Sequence, residues 1–171
     1  MKSMRVLGID PGSEITGWGV VEGDARCYQL VDYGAIRTSP HSAFALRLLR
    51  ISEGLENVIA RLHPNVCAVE EAFFAANVKT ALKLGQVRGV AILAAARAGL
   101  EIKEYAPRLI KQTIVGYGAA EKHQVQEMVR VLLKLEQAPQ PNDAADALAV
   151  AICHLHHLRF AASQREVLRH L

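Results

Sequence analysis

Cysteine is scarce and scattered in this chain of 171 residues. Cys27, Cys67 and Cys153 are odd in number and show no Cys-x-x-Cys spacing. That argues against a disulfide framework or a thiolate zinc site, and suggests buried thiols in a reducing cytosol. No apolar run is long enough to span a bilayer; the most apolar helical stretch, residues 90–96, is bracketed by Arg88 and Arg97. Residues 1–4 lead straight into a strand-like run, so no secretory leader is expected and the expected location is cytoplasmic, with no membrane partner. What is present is 51% apolar and 22% charged residues, the composition of a folded globular protein. One domain over residues 1–158 is expected, followed by a flexible tail over 159–171.

The formal net charge is only +3, but it is unevenly spread. Residues 77–134 hold ten Lys/Arg against four Asp/Glu, whereas the rest of the chain holds ten against thirteen. A basic middle beside an acidic remainder fits a polyanionic partner; ordinary solvated helix faces would give the same count.

The chain is organised around Arg5-Val6-Leu7-Gly8-Ile9-Asp10-Pro11-Gly12-Ser13 and the following Thr16-Gly17-Trp18-Gly19-Val20-Val21. A short apolar run stopped by Pro-Gly reads as a buried strand ending in a tight turn. Asp10 then stands at the strand's carboxyl end, where open α/β sheets bind ligands. Gly12, Gly17 and Gly19 leave space for something bulky to approach the backbone. A plain β-hairpin with Asp in its turn is the alternative reading.

Residues 4–10, 16–22 and 26–38 read as three antiparallel strands. Leu48, Ile51, Leu55, Val58 or Ile59, and Leu62 form one apolar helix face, with Arg47, Arg50, Glu53, Glu56 and Arg61 mostly off it. His63-Pro64-Asn65 ends that helix. Val66-Cys67-Ala68-Val69 is a second buried strand, delivering Glu70 and Glu71. A crossover helix makes it parallel to a sheet neighbour, and next to the first strand it would set Glu70 beside Asp10. Phe73 and Phe74 follow, either as core or as a platform for an unstacked base.

Residues 77–98 read as a long helix whose Gly85-x-x-x-Gly89 strip packs either on the sheet or on a two-fold partner. Residues 100–105 suit an edge strand. Pro107 starts a short helix through Ile114 carrying Arg108 and Lys111, and a glycine-rich loop leads to Glu121-Lys122 and a further helix. Asn142 opens the last helix, on which Asp143 and Asp146 share a face at i, i+3. His154, His156 and His157 are read as residues at that helix's carboxyl end, where the dipole favours cations; a metal cluster is the weaker alternative.

Asp10, Glu70, Asp143 and Asp146 form an all-carboxylate set. Two carboxylates ~4 Å apart repel by ~4 kcal/mol at an effective dielectric of ~20, so a proton or a cation must relieve them. Hard oxygen donors select Mg²⁺ or Mn²⁺, and four acids suggest two ions arranged for in-line displacement at phosphorus.

These motifs resemble the RuvC family of bacterial Holliday junction resolvases. The resemblance runs through Gly8-Ile9-Asp10-Pro11-Gly12-Ser13, Ala68-Val69-Glu70, Ala81-Leu82-Lys83-Leu84-Gly85-Gln86 with Arg88-Gly89, Gly116 to Lys122, and Asp143-Ala144-Ala145-Asp146-Ala147-Leu148. It spans about Arg5 to His157, in order. It implies a ribonuclease H-like α/β fold with a five-stranded mixed sheet of order 3-2-1-4-5 flanked by helices. It implies a homodimer cutting two strands of a four-way DNA junction symmetrically, with two Mg²⁺ (or Mn²⁺) ions per active site on Asp10, Glu70, Asp143 and Asp146, leaving 5′-phosphate and 3′-hydroxyl ends in recombination and repair. Lys111 and Lys122 match active-site basic residues, Phe73 matches an aromatic that stacks on a junction base, and Lys83, Arg88 and Arg108 are further candidate DNA contacts. The implied partner is the RuvA–RuvB branch-migration complex. Some relatives carry histidine where Asp143 stands, and residues 1–3 and the tail find no match. Other readings are an RNA-processing nuclease of the YqgF type, half of a sugar kinase or actin-like ATPase, and a non-catalytic junction-binding module. The first two share the opening acidic turn but not the whole set of motifs, and the third has no need of four acids.

Overall fold

The computed structural model describes residues 3–24, 27–71 and 77–169, with side chains described through Leu158. Five strands form one mixed sheet: β1 (Met4–Asp10), β2 (Ile15–Gly23), β3 (Tyr28–Arg37), β4 (Val66–Glu70) and β5 (Glu101–Tyr105), in the order β3-β2-β1-β4-β5. β1, β2 and β3 pair antiparallel, while β4 and β5 add on in parallel, which is the expected topology. Helices α1 (Phe44–Leu62), α2 (Val78–Arg97), α3 (Pro107–Val115), α4 (Lys122–Leu132) and α5 (Asn142–Arg169) cover its two faces. No helix among the described residues is long and apolar enough to cross a membrane.

Strand periodicity divides the core. Leu7 and Ile9 of β1, with Cys67 and Val69 of β4, face the layer of α1 and α2. Val6 of β1 and Val66 and Ala68 of β4 face α5, with α3 and α4 outside it. Asp10 and Glu70 continue this second series by two residues, so both carboxylates emerge on the α5 side. The register sets Ile9 opposite Val69, so the two acids follow side by side at adjacent strand ends.

α5 is apolar almost all round because it is enclosed by the sheet below and α3 and α4 above. Its approach to the sheet is unusually close. A Cβ on Gly8 would lie 2.0 Å from the Ala147 carbonyl oxygen, and one on Gly17 would lie 1.9 Å from the Asp143 carbonyl oxygen. A Cβ on Gly19 would meet the Leu148 side chain at 2.6 Å. The bulky group admitted by Gly17 and Gly19 is therefore this helix itself.

Several expectations need correction. The three histidines do not lie at the end of α5, which continues to Arg169. His154 is buried, its Nδ1 stands 2.7 Å from the Tyr105 hydroxyl, and burial pushes it down to about 4, so it is neutral rather than a dipole-bound cation. Cys67 and Cys153 are buried, but Cys27 is exposed, just before β3. Arg47 is buried rather than solvated, because its guanidinium turns back to the turn after β1. Of the two placements open to the Gly85–Gly89 strip, packing on the sheet is not the one found: among the described residues nothing lies within 4 Å of a Cβ placed at either position, and α2 seats Val87, Ala91, Ala94 and Ala95 on the sheet instead.

The glycine contacts predict a graded response. Gly8→Ala, which must move a backbone carbonyl, should cost about 3 kcal/mol, whereas Gly19→Ala, which meets a rotatable leucine, should cost about 1 kcal/mol. Urea denaturation of the two variants checks the order.

Candidate active site

Asp10 ends β1 and Glu70 ends β4, so each carboxylate is carried by a strand that is fixed on both sides by ladder hydrogen bonds. Asp143 and Asp146 lie in the first turns of α5, brought to the same sheet end by the helix's contact with Gly8 and Gly17. The cis peptide at Gln140–Pro141 precedes this helix, and the Pro141 carbonyl accepts the Ala144 and Ala145 amides at its start.

The four acids sense one another. Burial pushes Asp10 up to about 8, helped by the Glu70 and Asp146 charges, by a hydrogen bond shared with Glu70, and by Asp143. Burial also raises Glu70, although its bond with Asp10 and the charges of Lys122 and Lys111 pull it back. Asp146 is raised by burial and held down by Lys122, whose Nζ stands 2.6 Å from its Oδ2. Burial opposes the Lys122 charge, but the Asp146 bond and the surrounding carboxylates outweigh it and its pKa rises.

Lys111 and Lys122 line one cleft of about 150 Å³ with Glu70 and Asp146, its apolar wall being Ile110 and Val125. Lys111 projects from α3 and Lys122 is the first residue of α4. The loop between them is braced by Gln124, whose Oε1 accepts from the Glu121 amide at 2.8 Å and from the Tyr117 hydroxyl at 2.7 Å. A second cleft, of about 220 Å³, opens on the other side of the acid pair between Asp10, Pro11, Glu71, Leu84 and Arg88.

The remaining candidates are dispersed around these clefts. Arg88 pairs with Glu104 of β5 at the wall of the second cleft. Lys83 on α2 stands 5.6 Å over the Phe44 ring. Arg108 is exposed, with its side chain lying against Gly118. Phe73 lies outside the described residues, as does Phe74.

Arg47 is a contributor that the helical pattern concealed. Its Nε donates to the Ser13 carbonyl at 3.1 Å and to Thr38 Oγ1 at 3.2 Å, and the Thr38 hydroxyl donates to the same carbonyl at 2.7 Å. These bonds pin the turn that follows Asp10. The only signal in sequence is a guanidinium at the start of an apolar helix face, which is indistinguishable from a surface arginine.

No three His, Cys, Asp or Glu side chains among the described residues stand ready as a coordination sphere. The donor chemistry nonetheless suits a hard divalent ion: oxygen donors only, partly buried, with a carboxyl held up to about 8 by burial and by its acidic neighbours. Asp10, Glu70, Asp143 and Asp146 would hold such ions.

The raised Asp10 has a consequence for stability. A folded-state pKa of about 8 against an ordinary 3.8 means that the fold favours the neutral carboxyl. The penalty is absent below about pH 3.8, grows as pH rises, and is complete above about pH 8. Metal-free Asp10→Asn should therefore melt about 5 °C above the parent at pH 8, on the order of 2 kcal/mol, with the gap closing toward pH 4. Thermal melts in chelator across that range test the sign.

The pattern of the crossover junction endodeoxyribonuclease RuvC family matches residues 6–154. The chain is 54% identical to the RuvC crossover junction endodeoxyribonuclease of Heliobacterium modesticaldum, covering 95% of this chain and all of that one. It is 53% identical to the Geobacter metallireducens protein of the same name, over 97% and 98% of the two chains. Among solved structures, Thermus thermophilus RuvC in complex with a Holliday junction substrate superposes with a TM-score of 0.87 at 38% identity, over 92% of this chain and 96% of that one. The yeast mitochondrial resolvase Ydc2 shares the fold with a TM-score of 0.63 at 14% identity. With acids on two neighbouring strand ends and one helix, and this extent of identity, the chain belongs to the RuvC family of crossover junction endodeoxyribonucleases.

Proposed function

We propose that the protein resolves four-way DNA junctions by two symmetric, divalent-metal-dependent phosphodiester hydrolyses, leaving 5′-phosphate and 3′-hydroxyl ends. The observation that carries this reading is the meeting of Glu70 and Asp146 with Lys111 and Lys122 in one cleft, with Asp10 hydrogen-bonded to Glu70 at its edge. Two Mg²⁺ ions, or Mn²⁺ in their place, would there polarise the attacking water and neutralise the departing 3′-oxygen. The chain's own part is positional. β1 and β4 fix Asp10 and Glu70, the first turns of α5 present Asp143 and Asp146, and the two lysines hold the phosphate while charge develops on it. Phe73 would stack on an unpaired base, and Lys83, Arg88 and Arg108 would follow the flanking backbone.

Symmetric cutting requires two centres. The open strip at Gly85 and Gly89, with Leu82 65% and Leu93 50% exposed on the same helix, supports pairing of α2 with a second copy of the chain. RuvA–RuvB is the partner that would deliver the junction, in the cytoplasm.

The direct test compares a four-way junction, a linear duplex and an RNA hairpin, each with Mg²⁺ and with EDTA. Cutting of the junction alone, and only with Mg²⁺, is expected; equal cutting of linear duplex contradicts the reading. Glu70→Gln should lower the rate at least 10³-fold while junction binding survives in a gel-shift assay. Leu82→Asp should convert a dimer to a monomer in sedimentation analysis and abolish paired incisions.

A further inference from the structure

Three of the four acids at this centre already have partners. The Lys122 ammonium sits 2.6 Å from Asp146, bridging α4 to α5, and Asp10 and Glu70 share a hydrogen bond. The Lys122 side chain is 56% exposed, against 20% for Asp146. The carboxylate is thus the fixed member of the pair. The ammonium, at the end of a four-carbon stem with three rotatable donors, is the member that moves. Lys122 also feels Asp10 and Asp143, so it carries the positive charge that this group of carboxylates requires.

We propose that Lys122 is a built-in stand-in for a divalent ion: it occupies Asp146 in the substrate-free protein and leaves it for a DNA phosphate. Substrate and divalent ion then bind cooperatively at Asp146. A phosphate entering the cleft draws Lys122 away and frees the carboxylate, and by linkage an ion on Asp146 frees Lys122 for phosphate. Lys111 lines the same cleft and acts on Glu70 and Asp146 through its charge, with no ion pair to an acid among the described residues, so it adds field but does not occupy a ligand. The centre therefore completes itself on the substrate rather than before it. This inference rests on the reading of the four carboxylates as the metal-binding set.

Calorimetric titration of Mn²⁺ into the full chain without DNA tests both levels. Lys122→Met should bind Mn²⁺ about 5- to 30-fold more tightly than the parent, Lys122→Arg should resemble the parent, and Lys111→Met should gain less than Lys122→Met. Equal or weaker Mn²⁺ binding by Lys122→Met, in a protein whose Mn²⁺ binding is lost in Asp10→Asn, overturns the stand-in role and leaves the metal-binding reading intact. A gain in Lys111→Met as large as in Lys122→Met also overturns it, because cleft charge alone would then suffice. No Mn²⁺ binding in any form, or binding untouched by Asp10→Asn, removes the metal-binding reading and the inference together.

Discussion

The backbone of α5 lies directly on the backbone of β1 and β2, and the chemistry of the molecule depends on that contact. Gly8 and Gly17 give up their side chains to carbonyl oxygens of Ala147 and Asp143. Alanines on the helix keep the remaining gap small. The consequence is that the first turns of α5 end beside the carboxyl ends of β1 and β4. A helix seated on ordinary side chains would ride ~10 Å from the sheet, as packed layers do, and its acids would stand clear of the strand ends.

Burying acids that converge in this way has an electrostatic cost, visible in Asp10, Glu70 and Asp146, which burial raises first and the neighbouring carboxylates raise further. The protein offsets it with a shared proton between the strand-end acids and with a lysine on the helical one. Neither device is a well-packed apolar solution. An arrangement that is unfavourable by itself and relieved by a divalent ion and a phosphate is suited to phosphoryl chemistry. The surrounding fold, with two apolar cores on either side of the sheet, supplies the stability that the centre does not.

Much of this was legible in the residues. The opening strand, its acidic end and the second strand-plus-acid unit followed from apolar runs and Pro-Gly punctuation, and the crossover helix between them set their relation as parallel neighbours. Asp143 and Asp146 followed from i, i+3 spacing. What stayed hidden depends on long-range packing. Periodicity alone could not show that Arg47 turns inward to a carbonyl 34 residues away in sequence. Nor could it show that His154 is fixed to Tyr105 across 49 residues. The histidines lie within the helix and not at its end, because the stretch after them remains helical to Arg169. Gly17 and Gly19 do clear space beside β1, but a helix from the far end of the chain fills it, and Gly12 faces only the Ile15 carbonyl of its own turn.

The account stands or falls on whether oxygens from two strand ends and one helix surround the same ions. Crystals soaked in Mn²⁺ and measured at the manganese absorption edge give the most direct view. Anomalous density enclosed by Asp10, Glu70, Asp143 and Asp146 is the predicted result. Density bound elsewhere on the molecule, with none at those four carboxylates, would contradict it.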